Sequence, residues 1–305
     1  MYRMKREDKM QKYVIAVLGG DKRMNFAARE LVRKGYDVRQ WGRDEGDNAA
    51  AFSKIARQWL EDVDVLMLPL PSSFDGTHLF TPLCKDDEGL RMETLFCAAS
   101  DKLWLVGRLN EALRLRADRE EIHWVDYFES EILQLKNALP TAEGAIEIAM
   151  RETPVVLDGA KVAVIGYGRI GEVLSAKLKA LGAKVTVFAR RLDACARAEL
   201  AGAFAQRIMP SVTGEYNFNF DAETRVVFNT VPSRLFTRSI LQTLPRDCLI
   251  IDLASAPGGV DMTAAKELGV PVIWATALPG KCAPESAGVI LGQTVHSILL
   301  DATAF

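Results

Sequence analysis

Short apolar runs alternate with amphipathic stretches along most of the chain. Several of those runs open at their C-terminal ends into loops of small and polar residues, and a glycine-rich turn stands near the middle. Together these predict an α/β fold of two doubly wound parallel sheets with a cleft between them. A strand that is apolar along its length must be covered on both faces, and a helix between successive strands supplies the cover. The length of 305 residues is enough for two such domains.

In the first domain, Tyr13 to Leu18 reads as a strand, Gly19-Gly20-Asp21-Lys22-Arg23 as a turn, and Met24 to Lys34 as a helix closed by Gly35. Tyr36 to Trp41 is a second strand, Asn48 to Leu60 a helix and Val63 to Leu68 a third strand. The alternation continues through Leu103 to Val106 and His123 to Val125. The first turn lacks a third glycine, so this domain, residues 1–140, reads as a substrate domain with a Rossmann-like outline. Tyr127 to Asn137 is helical, Pro140-Thr141 reads as a break, and Ala142 to Met150 as a restart with Thr141 at the N-cap. Residues 141–158 are then an interdomain helix and linker.

The second domain, residues 159–282, opens on K-V-A-V-I-G-Y-G-R-I-G, Lys161 to Gly171. A buried strand (Val162 to Ile165) leads into Gly166-Tyr167-Gly168-Arg169-Ile170-Gly171 and then a helix ending near Leu181. That context makes G-x-G-x-x-G a dinucleotide fingerprint. The first glycine allows the tight turn, the second lets the backbone approach a pyrophosphate, and the third lets helix and sheet pack closely. The phosphates would sit on the free N–H groups of the helix N-terminus.

The next strand, Lys184 to Phe188, runs into Ala189-Arg190-Arg191, with no acid at its end to accept from ribose hydroxyls. Two adjacent guanidiniums suit a 2′-phosphate, so NADP is expected, with NAD the alternative. Later strands are Val226 to Asn229, Leu249 to Asp252 and Val270 to Ala275. A last helix, Pro284 to Leu300 within residues 283–305, is apolar on most sides and is expected to pack on the first domain or on another protomer.

Composition narrows the function classes. With 49% hydrophobic and 26% charged residues and a net charge of −2, the chain reads as an ordinary globular protein with no electrostatic case for nucleic acid or an anionic membrane. No apolar run reaches the roughly 20 residues of a membrane span, and the charged N-terminus is unlike a signal peptide, so a cytoplasmic location is expected. Five scattered cysteines and three histidines without shared spacing point to reduced thiols and to no metal site. Ligands of doubly wound sheets bind beyond the C-terminal ends of the strands. Four loops stand there: Pro69 to Thr77, Asn229-Thr230-Val231-Pro232-Ser233, Asp252 to Gly259 with Leu253 and Ala254, and Ala277-Leu278-Pro279-Gly280-Lys281. The fingerprint, Ala189 to Arg191, Asn229 to Pro232, Leu253, Ala254, Leu278 and Pro279 are the cofactor-binding candidates.

The motifs V-L-G-G-D-K-R (Val17 to Arg23), L-P-T-A-E-G (Leu139 to Gly144), V-I-G-Y-G-R-I-G, F-A-R-R, N-T-V-P-S, D-L-A-S-A-P-G-G-V-D (Asp252 to Asp261) and A-L-P-G-K-C-A-P-E-S-A-G (Ala277 to Gly288) stand in order along the chain. Together they resemble the dipicolinate synthase A-subunit family, with Met24 where that resemblance leads to Gln. The resemblance implies a mother-cell oxidoreductase of spore formation on the diaminopimelate–lysine branch. It would aromatise the dehydrated condensation product of pyruvate and aspartate semialdehyde to dipicolinate, with NADP as hydride acceptor, alongside a flavoprotein-like B-subunit of the same synthase. A homodimer is expected by analogy with two-domain dehydrogenases.

For the dianionic substrate of that reaction, Arg23, Lys281, Ser72, Ser73, Thr77, Thr141 and Ser286 are the binding candidates. Glu143 is the candidate for proton handling if cleft burial raises its pKa, with helix capping as its other role, and His78 stands in reserve. Two further readings remain open: an alanine, saccharopine or shikimate-type dehydrogenase, against which stands the lack of a recognisable His-Glu or Lys-Asp catalytic pair, and a catalytically silent NADP-binding protein that scaffolds or regulates the B-subunit.

Overall fold

The structure is a computed structural model describing residues 13–85, 89–210 and 216–302. The chain divides into two compact units, one running up to Gln134 and resuming at Pro284, the other Leu135–Ala283.

The first unit carries β1 (Val14–Leu18), α1 (Lys22–Arg33), β2 (Asp37–Trp41), α2 (Ala49–Trp59), β3 (Val65–Met67), α3 (Met92–Ala98), β4 (Leu103–Val106), α4 (Glu111–Arg119) and β5 (Trp124–Asp126). Its sheet has the order β2-β1-β3-β4-β5, parallel throughout. Successive residues of β1 serve opposite layers: Ala16 and Leu18 pack with Phe52 and Ala56 of α2, Ile15 and Val17 with Ala27, Ala28 and Leu31 of α1. The strand order reverses between β1 and β3, so the crevice where such sheets take ligands lies at the ends of these two strands. α1 begins at Lys22, two residues before the expected Met24, because the Asp21 carboxylate caps it by accepting from the Arg23 N–H at 3.0 Å.

α5 (Glu131–Glu152) runs through Pro140 without the expected break. Proline removes one helical hydrogen bond and costs roughly 3 kcal/mol in a helix interior. Packing on both sides overrides that cost: Leu133 lies in the core of the first unit, and Ala142, Ala145 and Ala149 lie on one face in the core of the second. Thr141 is therefore no N-cap; its hydroxyl donates back to the Asn137 carbonyl at 2.7 Å.

The second unit continues with β6 (Lys161–Ile165), α6 (Arg169–Ala180), β7 (Lys184–Ala189), α7 (Leu192–Leu200), β8 (Phe204–Arg207), β9 (Thr224–Asn229), α8 (Arg238–Leu241), β10 (Leu249–Asp252), α9 (Met262–Leu268), β11 (Val272–Trp274) and α10 (Leu278–Cys282). The parallel order β11-β10-β9-β6-β7-β8 is that of dinucleotide-binding sheets, with its reversal between β6 and β9. Between β8 and β9 no helix stands among the described residues. Phe218 covers that face instead, stacked on Phe220 at 5.3 Å and on Phe236 at 5.7 Å.

α11 (Pro284–Ala302) returns to the first unit, where Leu291, Val295 and Leu299 complete the layer formed by Ile15, Val17 and α1. All five cysteines are free thiols. Among the described residues no helix is long and apolar enough to cross a membrane.

Candidate functional site at two strand-order reversals

At the reversal in the second sheet, the fingerprint glycines have separable tasks. Gly166 leaves β6 at φ +91°, where a Cβ would lie 2.6 Å from the Thr230 hydroxyl. A Cβ on Gly171 would lie 2.2 Å from the Gly166 carbonyl, so helix and turn touch there. Gly168 is different: among the described residues nothing lies within 4 Å of where its Cβ would be, and the N-terminus of α6 behind it opens on free space. That space is a cavity of about 260 Å³ lined by Gly166, Tyr167, Gly168, Ala189, Arg190, Arg191, Arg197 and Val231, among others. A pyrophosphate needs this arrangement, since a side chain at Gly168 would occupy its place. Arg169 and Ile170 form the first turn of α6, where Ile170 packs against the core.

Three guanidiniums border the cavity, and their surroundings differ. Arg191 grips Asp193 with Nε and Nη2 at 2.8 and 2.7 Å, which holds the Asp193 carboxyl below its usual range. Arg197, three residues beyond Ala194 on the same face of α7, lies over the Tyr167 ring at 5.5 Å and donates to Glu172 at 2.7 Å. Arg190 is exposed, and among the described residues its guanidinium has no carboxylate partner. Sequence reading missed Arg197 and the Asp193 fork. The i, i+3 spacing of Ala194 and Arg197 was the available signal for the first.

Behind the cavity the loops after β9 and β10 are locked together. Asn229 and Asp252 are fully buried: Asn229 Nδ2 donates to Asp252 Oδ1 at 2.8 Å and to the Val231 carbonyl, while Asp252 also accepts from the Ala254 and Gly259 amides. Thr230 donates its hydroxyl to the Ile165 carbonyl at 2.8 Å. Asn229, Thr230, Leu253 and Ala254 are not among the residues lining the cavity, while Val231 reaches it and Pro232 is exposed. Leu278 belongs to the core that α5 joins, beside Pro279 in the first turn of α10.

At the reversal in the first sheet, the turn after β1 and the loop after β3 are tied to each other. The Gly20 N–H donates to the Phe80 carbonyl at 2.7 Å, the Phe80 N–H to the Ser72 carbonyl at 2.9 Å, and Arg23 Nη2 to the Leu70 carbonyl at 2.8 Å. Arg23 is buried and bidentate to Asp21, so it braces the turn and is not the solvated charge its sequence position allowed. Ser72 is 0% exposed, with its hydroxyl engaged by Pro69 and Gly107. A guanidinium absent from the sequence reading stands here too. Arg43, just past β2, donates Nη2 to the Asp21 carbonyl and Asn25, while its Nε and Nη1 are buried without a hydrogen bond among the described residues. Burial lowers it to about 10.

Outside this cradle the loop forms a polar knot. Asp75 Oδ2 lies 2.7 Å from His78 Nδ1, and Oδ1 accepts from the Thr77 and His78 N–H groups at 2.8 Å and from the Ser73 hydroxyl at 3.1 Å. The His78 side chain, first among these donors, holds the Asp75 carboxyl far below the usual carboxylate range. The chain therefore contains a His–Asp contact, of a different kind from the His-Glu and Lys-Asp catalytic pairs sought in the sequence; it forms inside a turn, where spacing alone gives no sign of it.

The remaining candidates belong to α5, α10 and α11. Glu143 sits inside α5, so it caps nothing. Its carboxylate is exposed and accepts from Lys177 Nζ of α6 at 2.8 Å, so the burial its proton-handling role called for is absent. Thr141 is buried in α5, Lys281 is exposed on α10, and Ser286 is exposed in the first turn of α11.

Comparison with known proteins agrees with this architecture. Residues 14–128 match the family model described as the N-terminal domain of the dipicolinate synthase A-subunit. The dipicolinate synthase A-subunit of Bacillus subtilis (strain 168) is 30% identical over 95% of this chain and 97% of its own length. The crystal structure of the dipicolinate synthase A-subunit from Bacillus halodurans superposes with a TM-score of 0.81 at 29% identity, covering 94% of this chain and 98% of that one. At 14% identity, the D-lactate dehydrogenase of Escherichia coli shares the fold with a TM-score of 0.61, over 93% of this chain and 95% of that one. With a curated relative matched from end to end, the chain belongs to the dipicolinate synthase A-subunit family.

Proposed function

We propose that this chain is the NADP-dependent oxidoreductase of a dipicolinate synthase, acting in the mother-cell cytoplasm of a sporulating bacterium together with a flavoprotein-like B-subunit. Its substrate is the dihydropyridine dicarboxylate formed from pyruvate and aspartate semialdehyde after loss of water. The observation that carries the reading is the cavity at the fingerprint: open space before Gly168, an α6 N-terminus without a side-chain cap, and on the rim Arg190, which has no carboxylate partner among the described residues. These residues suit a nicotinamide dinucleotide, whose bound ring would accept a hydride from the substrate. Gly166, Gly168 and Gly171 hold the pyrophosphate against α6. Arg190, supported by Arg191, binds the 2′-phosphate, and with NAD in its place the guanidinium faces only hydroxyls.

Aromatisation drives the chemistry forward, so the remaining work is positioning. The substrate carries two carboxylates, and the first sheet offers donors for them at the reversal between β1 and β3. Thr77 brings an exposed hydroxyl, and Arg43 a positive charge, its Nε and Nη1 lying buried without a hydrogen bond among the described residues. Ser73 and Arg23 fix the shape of that edge from within.

The test generates the unstable precursor in place from pyruvate and aspartate semialdehyde with the condensing enzyme, then adds this chain and NADP, with and without the B-subunit. Equal appearance of reduced nicotinamide and dipicolinate with this chain alone is the expected result. Appearance only with the B-subunit reduces the role of this chain to a shared site or a scaffold. If neither forms in any combination, the proposed activity is wrong.

A further inference from the structure

We infer that His78 is the base that takes the ring proton and that Asp75 is its positioning residue, a role that sequence reading gave to Glu143. The inference rests on the proposed reaction and adds the proton acceptor to it.

Geometry supports it first. The loop after β3 is anchored on both sides of His78. The Met92 N–H donates to the Thr77 carbonyl at 2.9 Å and the Leu79 N–H to the Leu90 carbonyl at 2.8 Å, so the imidazole stands on a fixed backbone in the loop after β3. Asp75 accepts four hydrogen bonds from Ser73, Thr77 and His78, and it stays ionised well below neutral pH. An ionised acceptor 2.7 Å from Nδ1 keeps the ring proton on that nitrogen. The lone pair then resides on Nε2, for which no hydrogen bond exists among the described residues. This is how an acid orients a histidine base: it fixes the tautomer and stabilises the imidazolium that forms. Thr77 Oγ1, 2.9 Å from Nδ1, is the other group on that side of the ring, and Gly89 faces its edge. Among the described residues the charges flanking the ring are Asp75 and, across a backbone bridge, Arg91. The side chain of His78 is 37% exposed, so the ring is open to solvent.

The step balances. Aromatising the dihydropyridine breaks two bonds to hydrogen. One hydrogen departs with its electron pair to the oxidised nicotinamide proposed above. The other departs as a proton to Nε2, leaving its electron pair to complete the aromatic sextet. His78 becomes the imidazolium, with Nδ1–H still on Asp75, and it returns the proton to solvent after product leaves.

The experiment has two arms. In the first, long-range proton–nitrogen NMR of the free chain reads the His78 tautomer at neutral pH, assigned by its loss in His78→Gln. The Nδ1–H form is expected in wild type and in Asp75→Glu, and a mixture in Asp75→Asn. In the second arm, pH profiles of kcat and KM are taken in the coupled dipicolinate assay. General bases contribute about 10²–10⁴-fold. His78→Gln should therefore lose about that much in kcat with little change in KM. Asp75→Asn should lose part of it, and Asp75→Glu should restore most. A wild-type Nε2–H tautomer, or a His78→Gln variant within about two-fold of wild-type kcat, overturns the inference. A wild type that makes no dipicolinate under any condition instead defeats the functional reading, and the proton step falls with it.

Discussion

Two adjacent arginines close β7, and their partners separate them. Arg191 is bound to Asp193 through both prongs of its fork, so much of its field at a nucleotide is cancelled by a carboxylate on the same turn. Arg190 has no such partner among the described residues and lines the same cavity. A hydrogen bond to a charged group contributes about 1.5–3 kcal/mol, or roughly ten- to a hundred-fold in affinity. We therefore expect Arg190→Asp to weaken NADP by at least about ten-fold relative to NAD, and Arg191→Ala to have the smaller effect. Fluorescence titration of each variant with both nucleotides measures this, and an unchanged NADP/NAD ratio in Arg190→Asp would rule out a 2′-phosphate contact at that residue. The paired arginines were visible in the sequence because they follow an apolar strand directly. The fork to Asp193 was not, since it depends on where α7 begins. The same holds for Asp75 and His78: D-x-x-H acquires meaning only when the turn folds the imidazole onto the carboxylate.

Elements were legible where local chemistry determines them. β4 and β10 fall where apolar runs placed them, and the strand-turn-helix around Gly166, Gly168 and Gly171 follows from what those glycines alone permit. Elements were misread where distant packing decides. Pro140 reads as a breaker, yet α5 passes through it because both halves of the helix are embedded in cores. The C-terminal helix was expected on the first domain or on another protomer, and two glycines show how it joins the first unit. A Cβ on Gly288 would lie 2.3 Å from the Arg23 carbonyl and one on Gly292 2.9 Å from that of Ala27, so α11 and α1 meet almost backbone to backbone. Replacing Gly288 by Ala raises helix propensity by about 1 kcal/mol. Overpacking costs about 1–3 kcal/mol, and here the obstacle is a carbonyl oxygen that cannot swing aside. The clash should win. Gly288→Val, with a larger and β-branched side chain, should lower stability by about 2 kcal/mol or more in urea unfolding. A variant as stable as wild type would mean that the seam opens freely and does not hold α11 in place.

Across the whole chain two sheets share a doubly wound plan but reverse at different points: between β1 and β3 in one, between β6 and β9 in the other. Ligands of such sheets gather at the reversal, so the two units have separate places to bind and separate chemistry to offer. The second presents glycines, a helix N-terminus and the Arg190 guanidinium, without a carboxylate partner among the described residues, which suit a nucleotide. The first presents Arg43 and the Asp75–His78 pair, which suit a small anion that must lose a proton. Hydrogen exchange can distinguish the two assignments because protection reports where a ligand sits. NADP at about a hundred times its dissociation constant stabilises what it binds by about 2.7 kcal/mol. It should slow exchange at Gly166 to Glu172, Ala189 to Asp193 and Thr230 to Leu235, and leave the first unit's edge unprotected. Dipicolinate, added alone as the product, should instead protect Gly19 to Arg23 and Ser72 to Thr81. If dipicolinate protects only the fingerprint region, the substrate role of the first sheet is refuted, and His78 loses its place in the reaction. If NADP protects neither region, the cavity before Gly168 is not a nucleotide site, whatever its glycines permit.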